Sequence, residues 1–116
     1  MTDAPEWLPI PDFADRLGVT ASHIRELVRD GALAAVRRGE RQTIQLPAGF
    51  IVEDDGKPVI LPTLRGTLTL LHDAGFDDAS ALEWLMSVDE ELGMAPLAAL
   101  REGRRSHVRR VAQSLL

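Results

Sequence analysis

The chain has 116 residues, 45% of them apolar, no cysteine, and a formal net charge of −5. That length and composition fit one domain, or a small domain with a helical extension, and argue against wholesale disorder. The lack of cysteine excludes disulfides and thiolate-bound zinc and makes a reducing cytoplasm the expected compartment.

The acidic start, Met1-Thr2-Asp3-Ala4-Pro5-Glu6, carries no apolar run and does not read as a signal peptide. No apolar stretch reaches the roughly 18 residues of a membrane helix. Leu8-Pro9-Ile10-Pro11 reads as an extended lead-in, with Pro11 opening a short helix over Asp12–Leu17. Phe13, Ala14 and Leu17 form that helix's inner face, and Gly18 stops it. Val19 is expected to pack inward, and Thr20 to cap a second helix over Ala21–Asp30. The buried stripe of this second helix is Ile24, Leu27 and Val28, with Gly31 as its left-handed stop.

Two apolar-rich runs, Leu33–Arg38 and Thr43–Leu46, flank Gly39-Glu40-Arg41-Gln42 and predict a β-hairpin that Pro47 closes. Glu53-Asp54-Asp55-Gly56-Lys57-Pro58 is a turn signal between Phe50-Ile51-Val52 and Val59-Ile60-Leu61, which predict a second short hairpin. Beyond it the pattern turns helical. Leu64, Leu68, Leu71 and His72 mark a helix over Pro62–Asp73, ended by Gly75. Asp77 or Asp78 caps the next, with Leu82, Leu85 and Met86 inside. Asp89–Gly93 breaks the pattern, Pro96–Arg101 is a short helix, and a last helix from about Arg104 carries Val108, Val111, Ala112 and Leu115 as its stripe. The expected fold is mainly α with a small β-hairpin wing: a winged helix-turn-helix over residues 1–58, then a helical bundle over 59–116.

Catalytic and metal chemistry find little footing. His23, His72 and His107 lack ligand spacing such as HExxH, the five serines lack a G-x-S-x-G setting, and neither phosphate-loop pattern occurs. Glu53-Asp54-Asp55 reads as a solvated turn rather than a cation site. No enzyme activity, metal or cofactor is expected.

The charge is arranged in blocks. Arg16 to Arg41 holds six arginines against three acids. Asp73 to Glu91 holds seven acids and no Lys or Arg, and Arg101 to Arg110 holds five arginines against Glu102. A negative total opposes nucleic-acid binding, but the local field decides whether phosphate can approach. Arg104, Arg105, Arg109 and Arg110 can alternatively be expected to touch acids of the Asp73–Glu91 block. Opposite the buried stripe of the second helix lie Ser22, Glu26 and Arg29, flanked by His23 and Arg25. These side chains can meet base edges or phosphates if the helix enters the major groove. Arg37, Arg38 and Arg41 on the adjoining wing can hold the backbone or enter the minor groove. Thr20, Ser22, His23, Arg25, Glu26, Arg29, Arg37, Arg38, Arg41 and Gln42 are therefore the candidate contacts to double-stranded DNA.

Phe13-Ala14, Leu17-Gly18-Val19, His23-Ile24-Arg25, Gly31 with Leu33, and the basic wing resemble the winged helix-turn-helix of MerR-like regulators and phage-type excisionases. Residues 61–87 and 96–116 resemble the helical C-terminal domain that actinobacterial proteins append to such a module. Over residues 8–116 the chain thus resembles a mycobacterial-type winged helix-turn-helix DNA-binding protein. That resemblance implies transcriptional regulation in the cytoplasm, at the nucleoid. It departs from MerR in lacking a long dimerisation helix and a cysteine sensor. The segment 96–112 also resembles the end of certain antitoxins. An antitoxin-like interaction module and an excisionase-like DNA-bending protein are therefore the alternatives, and the C-terminal helices stand open to a protein partner or to self-association.

Overall fold

The computed structural model describes residues 6–115; the acidic Met1–Pro5 stretch and Leu116 lie outside them. Strand β1 (Trp7–Pro9) leads directly into helix α1 (Ile10–Leu17). The lead-in expected to be merely extended is a sheet strand, and the helix begins two residues early, with Pro11 in its first turn. Proline is tolerated there because first-turn N–H groups have no intrahelical acceptor. Gly18 adopts φ 73°, and the Val19 N–H returns to the Ala14 carbonyl at 3.0 Å. This closure turns the Val19 side chain outward, 37% exposed, contrary to the inward packing expected of it.

Helix α2 (Ala21–Arg29) follows at once. Thr20 caps it, its hydroxyl accepting the His23 N–H at 3.1 Å. At its far end Gly31 takes φ 82°, and the Ala32 N–H closes on the Leu27 carbonyl at 2.9 Å. Phe13, Ala14 and Ile24 are buried between the two helices, with Leu17, Leu27 and Val28 half-buried at the margin.

The hairpin comprises β2 (Val36–Arg38) and β3 (Thr43–Pro47), and β1 joins it as a third antiparallel strand in the order β1-β3-β2. The strand expected from Leu33 starts at Val36. Leu33 and Ala34 are fully buried and plug the core instead, while the Ala35 N–H is given to Asp78 Oδ2 at 3.3 Å rather than to a strand. A 3₁₀ turn (Ala48–Phe50) then leads into the second hairpin, β4 (Ile51–Asp54) with β5 (Lys57–Ile60). Asp55 and Gly56 at its tip both have positive φ, the requirement of a two-residue turn matched to strand twist.

Four helices complete the chain: α3 (Leu64–Asp73), α4 (Asp78–Met86), α5 (Pro96–Arg101) and α6 (Arg105–Gln113). Asp77 caps α4 by accepting the Ser80 N–H at 2.8 Å. That bond, with a second from the Ser80 side chain, holds the Asp77 carboxyl below its ordinary value. Leu64, Leu68, Leu71, Leu85 and Val108 are fully buried. Leu115 falls past the end of α6 and is 38% exposed, so it does not extend the stripe as expected. One apolar cluster runs from Leu8, Phe13 and Leu46 through Phe50 and Leu61 to Leu100 and Val111. The β4–β5 hairpin therefore bridges two halves that share a core.

Candidate nucleic-acid interface

The interface is built on how α2 is held. Its inner stripe is fixed by α1 and the core, so the opposite face must meet solvent. Ser22, His23, Arg25, Glu26 and Arg29 are all exposed. None of these five side chains is engaged by a hydrogen bond or ion pair from another described residue. Arg25 and Arg29 lie one turn apart on one flank, as i, i+4 neighbours do. At nine residues the helix is about 13 Å long, comparable with the ~12 Å width of a major groove. Thr20 stands at its N-terminus with one lone pair of its oxygen engaged in the cap, so it positions the helix and keeps its proton and a second lone pair for an outward contact.

Six residues separate the end of α2 from the wing, where Arg37, Arg38 and Arg41 are all exposed. The three are not equivalent. Arg38 lies over the Trp7 ring, 4.0 Å from its centroid, a cation–π contact across the sheet's outer face. Arg37 stands on the other face, opposite Ile44, and its Nη1 donates to the Gln42 carbonyl at 3.4 Å. Arg41, in the turn, has no such partner among the described residues. Gln42 is engaged locally. It adopts φ 53°, and its Nε2 donates to the Gly39 carbonyl at 3.0 Å, which closes the turn.

Two features of this surface escaped the sequence reading. A three-residue strand has no periodicity of its own, so the only sequence signal for Trp7 is an aromatic near a basic hairpin. Ile44 is 39% exposed opposite Arg37, an apolar side chain at the outer end of the core-facing side of the wing.

Elsewhere the contacts differ from expectation. Arg104 donates to the Leu92 carbonyl at 3.1 Å and approaches His107 Nδ1 at 3.0 Å, so it does not meet an acid. His107, instead, reaches Glu91 at 3.3 Å, and no ion pair of Arg105, Arg109 or Arg110 occurs among the described residues. His72 is half-buried and meets Asp78 at 3.1 Å, which ties α3 to the residue that holds Ala35 at the base of the wing. Among the described residues no cluster of His, Asp or Glu has a metal-binding arrangement, and no helix is long and apolar enough to cross a membrane.

The arrangement has known counterparts. The winged helix-turn-helix domain of the DNA-binding protein Rv2175c matches residues 1–51, and the Rv2175c C-terminal domain of unknown function matches residues 61–115. The DNA-binding protein Rv2175c of Mycobacterium tuberculosis (strain ATCC 25618 / H37Rv) is 33% identical over 99 residues, or 85% of this chain. The chain spans 61% of that relative's length. The NMR structure of Rv2175c aligns with a TM-score of 0.82 at 28% identity, over 99% of this chain and 84% of that one.

Proposed function

We propose that this chain, which belongs to the Rv2175c family of winged helix-turn-helix proteins, binds double-stranded DNA through α2 and its wing. The observation that carries the reading is the outer face of α2, where five polar side chains stand free beside a hairpin bearing three exposed arginines. In this reading α2 lies in the major groove. Arg29 reads base edges, with Ser22, His23 and Glu26 around it, and Arg25 stands at the margin where phosphate is also in reach. Arg41 at the wing tip holds phosphate or minor groove. Arg37 and Arg38 flank it, Arg38 oriented by Trp7, and Thr20 and Gln42 hold the frame. Residues 1–58 form the DNA-binding half and 59–116 the half that braces it. The role is that of a transcriptional regulator in the cytoplasm with no catalytic step.

Salt dependence tests this reading. If Arg25, Arg37, Arg38 and Arg41 hold phosphates, the slope of log affinity against log salt is about −3.6, and duplex affinity falls about two orders of magnitude between about 50 and 200 mM salt. Affinity that stays flat over that range, or no binding at the lower salt, refutes the proposal.

A further inference from the structure

Between α3 and α6 the surface opens into a groove of about 430 Å³, within the size range of small-molecule sites. Its walls bring Thr63 and Gly66, from the start of α3, against Arg105, Ser106 and Arg109 of α6. We propose that this groove binds a small phosphorylated anion, a phosphomonoester with a short apolar body. The site is independent of the DNA reading, since no residue of α2 or the wing lines it.

Four observations converge on that chemistry. First, Arg105 and Arg109 sit one helical turn apart and line the same groove, and no described acid pairs with either. No carboxylate among the described residues lines the groove, so its lining carries positive charge. Two guanidinium groups one turn apart can supply paired donors to phosphoryl oxygens.

Second, Thr63 Oγ1 is buried and has no hydrogen-bond partner among the described residues. Buried polar atoms are nearly always satisfied, so this orphaned hydroxyl, on a residue that lines the groove, gains a partner by turning toward a ligand atom. Thr63 is the N-cap residue of α3, yet its side chain makes no capping bond, and neither does that of Arg104 at the head of α6. The starts of α3 and α6 both border the groove, so their positive dipole ends favour an anion there.

Third, Gly66 lies inside α3, where glycine is disfavoured relative to alanine. Packing does not require it, because a Cβ there would meet nothing within 4 Å. Its missing side chain leaves the groove open. Fourth, Pro62 and Leu70 add apolar wall beside the polar lining, which suits a phosphate ester better than a bare anion.

The test uses the full ¹⁵N-labelled chain, titrated with inorganic phosphate and with phenyl phosphate against chloride at matched ionic strength. The expected result is saturable shifts of the Thr63, Gly66, Ser106 and Arg109 amides, tighter for phenyl phosphate. The Arg105→Gln/Arg109→Gln double variant should lose at least about tenfold in affinity, the loss expected for one charge-assisted bond or more. Gly66→Ala, which favours the helix, should also weaken binding. Shifts that follow chloride without saturating, or a double variant with unchanged affinity, overturn the proposal. Duplex binding by the double variant separates the sources of phosphate. An unchanged salt slope supports a free small anion, whereas a slope reduced by about two makes DNA backbone the occupant and overturns the small-molecule assignment.

Discussion

Removing the Arg101 side chain tests how the two halves are joined. Its Nη1 donates to the Gly49 carbonyl at 2.7 Å and to the Ile51 carbonyl at 2.8 Å, so a side chain of α5 holds the carbonyls on either side of fully buried Phe50 in the 3₁₀ turn. The fit is tight on the same side. A Cβ at Gly49 would lie 3.0 Å from Leu97 Cδ2 and 3.9 Å from Arg101 Cδ. A hydrogen bond from a charged donor contributes about 1.5–3 kcal/mol. One nitrogen shared between two acceptors, on an exposed side chain that water can replace, puts the pair together at about 1–2 kcal/mol. For a chain of this length 1 kcal/mol corresponds to roughly 4 °C in Tm, so Arg101→Ala should lower Tm by about 4–8 °C. Thermal unfolding followed by circular dichroism measures it. Duplex affinity well below Tm should stay at the wild-type level, because Arg101 bonds to the 3₁₀ turn and not to α2 or the wing. A Tm unchanged within error would mean that the shared apolar core and the Ala35–Asp78 bond join the halves without help from Arg101.

Two further predictions concern the DNA face and a helix cap. Arg29→Ala should flatten the preference among duplex sequences, since a bidentate arginine–guanine pair discriminates by about 1–3 kcal/mol. Arg41→Ala should weaken all duplexes alike and reduce the salt slope by about one. Binding-site selection on both variants checks this, and a changed preferred sequence in Arg41→Ala would make the wing the reader. The Asp77 carboxyl is lowered by the Ser80 N–H, then by the Ser80 side chain, with burial opposing slightly. Its stabilising effect is therefore present above the unfolded carboxylate value of about 3.9 and is lost as pH falls through the lower folded value. Asp77→Asn keeps a capping oxygen that does not titrate, so the stability difference between the two proteins should be constant near neutrality and change below pH of about 4. Unfolding curves that stay parallel from neutral to strongly acidic pH would contradict the assignment.

The helix-turn-helix was legible because its punctuation is local. Gly18 and Gly31 supply left-handed stops, Thr20 supplies a cap, and Phe13, Ala14 and Leu17 in one helix and Ile24, Leu27 and Val28 in the next follow helical spacing. The exposed set on α2 follows from that spacing alone. What escaped depends on partners distant in sequence. Trp7–Pro9 is a strand only because β3 lies beside it, with Leu8 opposite Leu46. Leu33 and Ala34 leave the ladder because the core takes them and Asp78 takes the next N–H. Val19 faces out because backbone bonds close its turn. On the candidate interface, composition marks the three wing arginines as alike, whereas Trp7 and the Gln42 carbonyl engage two of them and Arg41 has no partner among the described residues.

The central claim is that α2 and the wing form the DNA face, and amide shifts on titrating the ¹⁵N-labelled chain with a short duplex test it most directly. The account predicts the largest shifts at residues 20–30 and 37–43, with α5 and α6 quiet. Shifts confined to α3 and α6 with α2 silent would contradict it.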